Sequence, residues 1–88
     1  MSDAENTVYV GNLPWRTTED DLAALFEPFG PITDVRVVQD PATGRSRGYG
    51  FVELPDRPAV AAACAVLNGH AYSGRILLVS HARPKTTP

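Results

Sequence analysis

Eight consecutive residues, Arg47-Gly48-Tyr49-Gly50-Phe51-Val52-Glu53-Leu54, do most to restrict what this chain can fold into. An extended strand points successive side chains to opposite faces. Arg47, Tyr49, Phe51 and Glu53 therefore share one face, and Gly48, Gly50, Val52 and Leu54 share the other. The second face is small and aliphatic, suited to packing. The first carries two rings and two charges, an unusual load for a strand face that only meets water. The earlier segment Val8-Tyr9-Val10-Gly11-Asn12-Leu13 repeats the pattern, with Val8, Val10 and Asn12 on one side and Tyr9 and Gly11 on the other. If the two strands are neighbours, Tyr9, Tyr49 and Phe51 form one aromatic surface. A nucleic-acid base stacked on such a ring gains about 1–3 kcal/mol, whatever the base.

The rest of the chain supplies elements to support such a sheet. The spacing Leu22, Leu25, Phe26, Phe29 is one apolar stripe of an amphipathic helix. Thr17 or Thr18 can cap its start, with Asp20 or Asp21 completing a capping box. Pro28 and Gly30-Pro31 end it. Ile32–Gln39 reads as a β-branched second strand, and 40–46 as a turn-rich loop. Asp56 is placed to cap a second helix with Pro58 in its first turn, burying Val60, Ala63, Cys64 and Leu67 and stopping at Asn68-Gly69. Ile76–Ser80 reads as the last strand. The order β-α-β-β-α-β is the split βαβ arrangement. It predicts an α+β, ferredoxin-like sandwich: a four-stranded antiparallel sheet with both helices on one face and the aromatic face left open. The expected division is a flexible start over 1–6, one domain over 7–83 and a flexible end over 84–88.

Composition narrows the function classes. The 88 residues suffice for one domain with a small core. A single cysteine, Cys64, excludes an internal disulfide and fits a reducing compartment. The polar start, Ser2-Asp3-Ala4-Glu5-Asn6, does not read as a secretory signal, and no apolar run approaches membrane-span length. The net charge of −2 is unusual for a nucleic-acid binder, but acids gather near Glu19-Asp20-Asp21 while arginines gather at Arg45 and Arg47 and near Arg83. Enzymatic readings find little support. The glycine-rich 44–50 stretch lacks the Lys-Ser/Thr of a phosphate loop and leads into a strand, and two scattered histidines with one cysteine offer no zinc set. The chain reads as a non-enzyme without cofactor or metal.

The octamer fits the RNA-recognition-motif signature at seven of eight positions, with Leu54 in place of the final aromatic. The hexamer resembles the partner motif of the same family. Phe29-Gly30, Leu67-Asn68-Gly69 and Gly74-Arg75 add to a resemblance running from about Thr7 to Ala82. The chain is similar to short bacterial proteins holding one such domain. The resemblance implies single-stranded RNA as the partner, with Tyr9 and Phe51 each stacking a base, Tyr49 packing against sugars or a further base, and Arg47 meeting a phosphate. Arg36, Arg45, Asn12, Ser80, His81 and Arg83 complete the expected RNA-binding set. It further implies a monomer, cytoplasmic, or nuclear in a eukaryote, in post-transcriptional RNA regulation or RNA chaperoning. Stacking does not distinguish sugars, so single-stranded DNA is a second candidate ligand.

Each residue also has a plainer reading. Tyr49 and Phe51 alone would be ordinary sheet aromatics. Arg47 could pair with Glu53, and Arg36 and Arg45 could be solvated cations. His81 reads more readily as a surface histidine, Trp15 as cover for the edge of the core, and Tyr72 and His70 as structural. Leu78 and Ile76 face outward on the last strand, where the family often carries polar or basic residues. With Val38, they motivate a competing reading as a protein-binding module that uses the same sheet.

Overall fold

Phe26, Val8, Val10, Val52, Leu22, Leu54 and Leu77 are fully buried, and they come from both helices' side of one sheet. The computed structural model describes residues 6–82, apart from the side chains of Ser46 and Arg47. Its elements are β1 (Thr7–Gly11), α1 (Glu19–Phe26), a 3₁₀ turn (Glu27–Phe29), β2 (Asp34–Gln39), β3 (Ser46–Glu53), α2 (Arg57–Leu67), β4 (Ala71–Tyr72), β5 (Arg75–Ile76) and β6 (Leu78–His81). The main sheet has the order β2-β3-β1-β6, with every pairing antiparallel. The two strands that carry the sequence motifs are thus the two central ones.

Alternation decides what is buried. Val8 and Val10 of β1, Val37 of β2, Val52 of β3 and Val79 of β6 all turn inward. They meet Leu22 and Phe26 of α1 and Val60, Ala63 and Leu67 of α2 in one cluster. Each such fully buried aliphatic or aromatic side chain stabilises the fold by about 1.5–3 kcal/mol. Both helices therefore cover one face and leave the other open. None of the helices among the described residues is long and apolar enough to cross a membrane.

The helix starts are chemically fixed. Thr18 caps α1: its Oγ1 accepts from the Asp21 N–H at 3.1 Å, and Asp21 Oδ2 accepts from the Thr18 N–H at 3.1 Å. Thr17 is buried instead. Asp56 caps α2, its Oδ1 accepting from the Ala59 N–H at 2.9 Å. Pro28 has no N–H to continue α1, so the expected stripe through Phe29 finishes in the tighter 3₁₀ turn. Two side chains of the helical layer reach the sheet. Glu19 Oε2 accepts from the Val37 N–H at 3.3 Å, and Asn68 Oδ1 accepts from the Val79 N–H at 3.0 Å.

Three boundaries differ from the sequence reading. Strand β2 begins at Asp34 rather than Ile32. The last strand is Leu78–His81, not Ile76–Ser80. Ile76 belongs to a small β4–β5 hairpin closed by Ser73 and Gly74, whose φ values of 49° and 79° are those of a tight two-residue turn with both central residues left-handed. Between Val37 and Gln39 the β2–β3 pairing slips, since Val37 faces Gly50 while Gln39 faces Ser46. Gly48, at φ 95°, lies in the stretch of β3 where this happens, a conformation a side chain would strain.

Candidate nucleic-acid interface

Strand pairing builds the site. Tyr9 faces Phe51 across β1–β3 and Ser80 across β1–β6, while Phe51 faces Arg36 across β3–β2. Directly opposed residues share a face. Arg36, Phe51, Tyr9 and Ser80 therefore form one row across all four strands of the open face. A second row holds Tyr49, Gly11 and Leu78. Arg36 and Ser80 are exposed, and the three rings are half-buried.

The rings make a cluster rather than a flat table. Their centroids lie 6.0 Å apart for Tyr9–Tyr49, 5.9 Å for Tyr9–Phe51 and 6.1 Å for Tyr49–Phe51. The interplanar angles are 34°, 62° and 90°. Edge-to-face contact suits the ring quadrupole and holds each ring in place. Gly11 makes room for this: a Cβ added there would lie 2.6 Å from Tyr9 Oη. The Tyr9 ring thus leans over the backbone of Gly11. Leu78, 57% exposed, stands opposite Gly11 and extends the surface with an apolar side chain. Leu54 is on the buried side, 1% exposed, so the departure from the aromatic at that position falls in the core.

The other residues singled out in the sequence divide clearly. Arg36 and Ser80 share the aromatic face. His81 does not: it pairs with fully buried Val8, so its Cβ points to the helix side, as the period of two requires one residue after Ser80. Asn12 also serves elsewhere. Its Nδ2 donates to the Ile76 carbonyl at 2.7 Å, while its Oδ1 and main-chain carbonyl accept from Arg75 Nη2 and Nε at 2.7 and 3.1 Å. With φ at 64°, it turns the chain out of β1 and fastens that turn to the β4–β5 hairpin. The side chain of Arg47, and Arg83 altogether, lie outside the described residues.

Trp15 corrects the expectation that it covers the core edge. It is 56% exposed, and the Arg45 guanidinium lies over its ring, 4.5 Å from the centroid. No local pattern links these residues, which lie on two different loops. Arg75 was another residue whose role is visible only once β5 is placed beside Asn12. Cys64 is half-buried on α2, and burial pushes its thiol pKa up from the usual value. Among the described residues no group of three or more His, Cys, Asp or Glu side chains is arranged to hold a metal ion.

Comparison with known proteins gives the site a context. The RNA recognition motif family matches residues 8–78. RbpE of Nostoc sp. (strain PCC 7120) is 44% identical over 79 residues, covering 90% of this chain and 80% of RbpE. Several longer curated relatives are spanned over only half of their length or less. The crystal structure of RNA binding protein PG1 superposes with a TM-score of 0.83 at 43% identity, covering 90% of this chain and 98% of that one. The RNA recognition motif of Rna15, solved with bound RNA (GU), superposes with a TM-score of 0.84 at 32% identity, covering 94% and 88%.

Proposed function

Because the chain belongs to the RNA recognition motif family, a family of non-enzymatic binding modules, we propose that it binds single-stranded RNA on the open face of its sheet. The observation that carries this reading is the triangle of half-exposed rings, Tyr9, Tyr49 and Phe51, on the face that neither helix covers. Successive bases stack on Tyr9 and Phe51, Tyr49 packs against sugars or a further base, and Arg36 meets phosphate from the rim. The solved Rna15 domain with bound RNA supports the class of ligand.

Three ring contacts at about 1–3 kcal/mol each give a gross gain of a few to nine kcal/mol. Ordering the RNA and the arginines consumes part of it. The outcome for one domain is affinity in the micromolar range, about −8 kcal/mol. Such a module suits post-transcriptional regulation or RNA chaperoning, where many weak contacts form and release.

The test is fluorescence anisotropy with a labelled random-sequence single-stranded RNA at low salt. The intact protein is compared with a folded Tyr9→Ala/Tyr49→Ala/Phe51→Ala variant. A loss of ten-fold or more on substitution supports the stacking surface, and equal binding by the two proteins refutes it. A DNA oligonucleotide of the same sequence reads the contribution of 2′-hydroxyl contacts. A second reading rests on Leu78, 57% exposed on the open face, with Ile76 of the β4–β5 hairpin also 53% exposed, apolar surface that would suit a protein partner. Failure of RNA to bind the intact protein would favour it.

A further inference from the structure

We infer that Trp15 and Arg45 together form an additional base-binding position beyond the Tyr49 end of the aromatic cluster, taking a nucleotide that the sheet itself cannot reach. This rests on the RNA-binding reading above and extends it to two loops. Trp15 lies on the β1–α1 loop and Arg45 on the β2–β3 loop. The first loop leaves β1 alongside the start of β3, where the Leu13 N–H donates to the Gly48 carbonyl at 2.8 Å. Gly48 precedes Tyr49, so the first loop runs beside the end of β3 next to the row that holds Tyr49, Gly11 and Leu78, and Arg45, just before β3, meets Trp15 there.

The pair has the features of a stacking site rather than of core cover. Trp15 is 56% exposed as a residue and is no part of the buried cluster. One of its faces carries the guanidinium, 4.5 Å from the ring centroid. The remaining exposed ring area is what a base can stack on. Tryptophan offers the strongest aromatic surface for a cation, and the guanidinium keeps several N–H donors for the phosphate of the same nucleotide.

Both loops are held by hydrogen bonds, so little order has to be gained on binding. In the β2–β3 loop, the Asp40 N–H donates to the Arg45 carbonyl at 2.7 Å and the Gly44 N–H to the Asp40 carbonyl at 2.7 Å. The Ala42 N–H donates to Asp40 Oδ1 at 2.9 Å. In the β1–α1 loop, the Thr17 N–H donates to the Pro14 carbonyl at 3.0 Å.

Trp15 is the only tryptophan in the chain, so its fluorescence reports stacking directly. The experiment titrates the full chain with a random-sequence trinucleotide and a random-sequence octanucleotide. Intrinsic fluorescence and the anisotropy of labelled RNA are followed together. The octanucleotide quenches Trp15. Trp15→Ala weakens octanucleotide binding about five-fold or more, the low end for one stacked base, and leaves trinucleotide binding within about two-fold. Trp15→Phe retains most of the affinity, which separates loss of the ring from any loss of folding. An octanucleotide that binds the intact protein without quenching Trp15, and binds Trp15→Ala equally well, overturns the inference and leaves the aromatic cluster standing. If the octanucleotide fails to bind the intact protein, the RNA-binding reading falls, and this inference with it.

Discussion

Replacing Gly50 with alanine should destabilise the protein far more than a one-carbon change suggests. Gly50 sits on the inward face of β3, flanked by Tyr49 and Phe51 and paired with Val37 of β2 and Val10 of β1. A Cβ there would lie 2.5 Å from the Arg36 carbonyl oxygen and 3.0 Å from Leu22 Cδ2. Leucine can rotate away, but a sheet carbonyl cannot. Moving that contact merely from 2.5 Å to 3.0 Å requires β2 and β3 to part by about half an ångström within a hydrogen-bonded ladder. Overpacking of this kind costs about 1–3 kcal/mol, and a backbone clash belongs at the upper end. Alanine recovers about 0.5–1 kcal/mol by restricting the unfolded chain. The net loss is about 2 kcal/mol, a fall in Tm of about 8–16 °C for a domain of this size. Thermal unfolding followed by circular dichroism measures it. A Tm within about 2 °C of the parent would refute the steric argument. So would a double-mutant cycle in which Leu22→Ala abolishes the effect of Gly50→Ala, because that would place the strain on the side chain instead of the carbonyl.

Gly11→Ala addresses the binding surface instead. Its Cβ would meet Tyr9 Oη at 2.6 Å, so the ring swings away and RNA affinity falls about five-fold, or about 1 kcal/mol, with little change in Tm; unchanged affinity in an anisotropy titration would mean that the Tyr9 ring position does not matter. Asn12→Ala loses the side-chain bonds to Ile76 and Arg75 and puts at φ 64° a residue that tolerates the left-handed region less well than asparagine, together costing about 2 kcal/mol in chemical denaturation. Asn12→Gly relieves the backbone strain alone and is the milder of the two; the reverse order would argue against the tether. The raised pKa of the half-buried Cys64 thiol gives two further outcomes. At mildly alkaline pH its reaction with a thiol reagent is slower than that of free cysteine, and above the usual thiol pKa the folded state holds the proton more firmly than the unfolded, so stability declines as pH rises through that range.

Most of the scaffold was legible because it rests on local chemistry. The capping box at Thr18 and Asp21, the Asp56 cap and the alternation in β1 and β3 are short-range patterns, and each reappears in the structure. The register that sets Tyr9 beside Phe51 follows from two strands whose inward faces must both be buried. What sequence could not reveal depends on contacts between distant segments. β4 and β5 have two residues each, too few to show a period, so the sequence alone runs Ile76 into the last strand. That misplaced boundary also hid the partners of Asn12, which are Ile76 and Arg75. The family resemblance implies His81 at the RNA surface, but a strand that continues to it turns its Cβ to the helix side. Trp15 met no local partner in sequence because Arg45 comes from another loop.

The two helix-borne acceptors carry a consequence for how this domain behaves in a crowd. β2 and β6 are the outer strands of the sheet, where unsatisfied N–H groups invite another chain to join as a further strand. On each outer strand one such donor is already taken, Val37 by the Glu19 carboxylate and Val79 by the Asn68 amide oxygen. A would-be neighbouring strand has to displace a side chain anchored on a packed helical layer before it can zip on. The lateral margins are therefore poor templates for polymerisation, even though the broad face between them stays bare and sticky. A protein built this way can present three rings and two apolar side chains to water and still resist growing sideways into fibres.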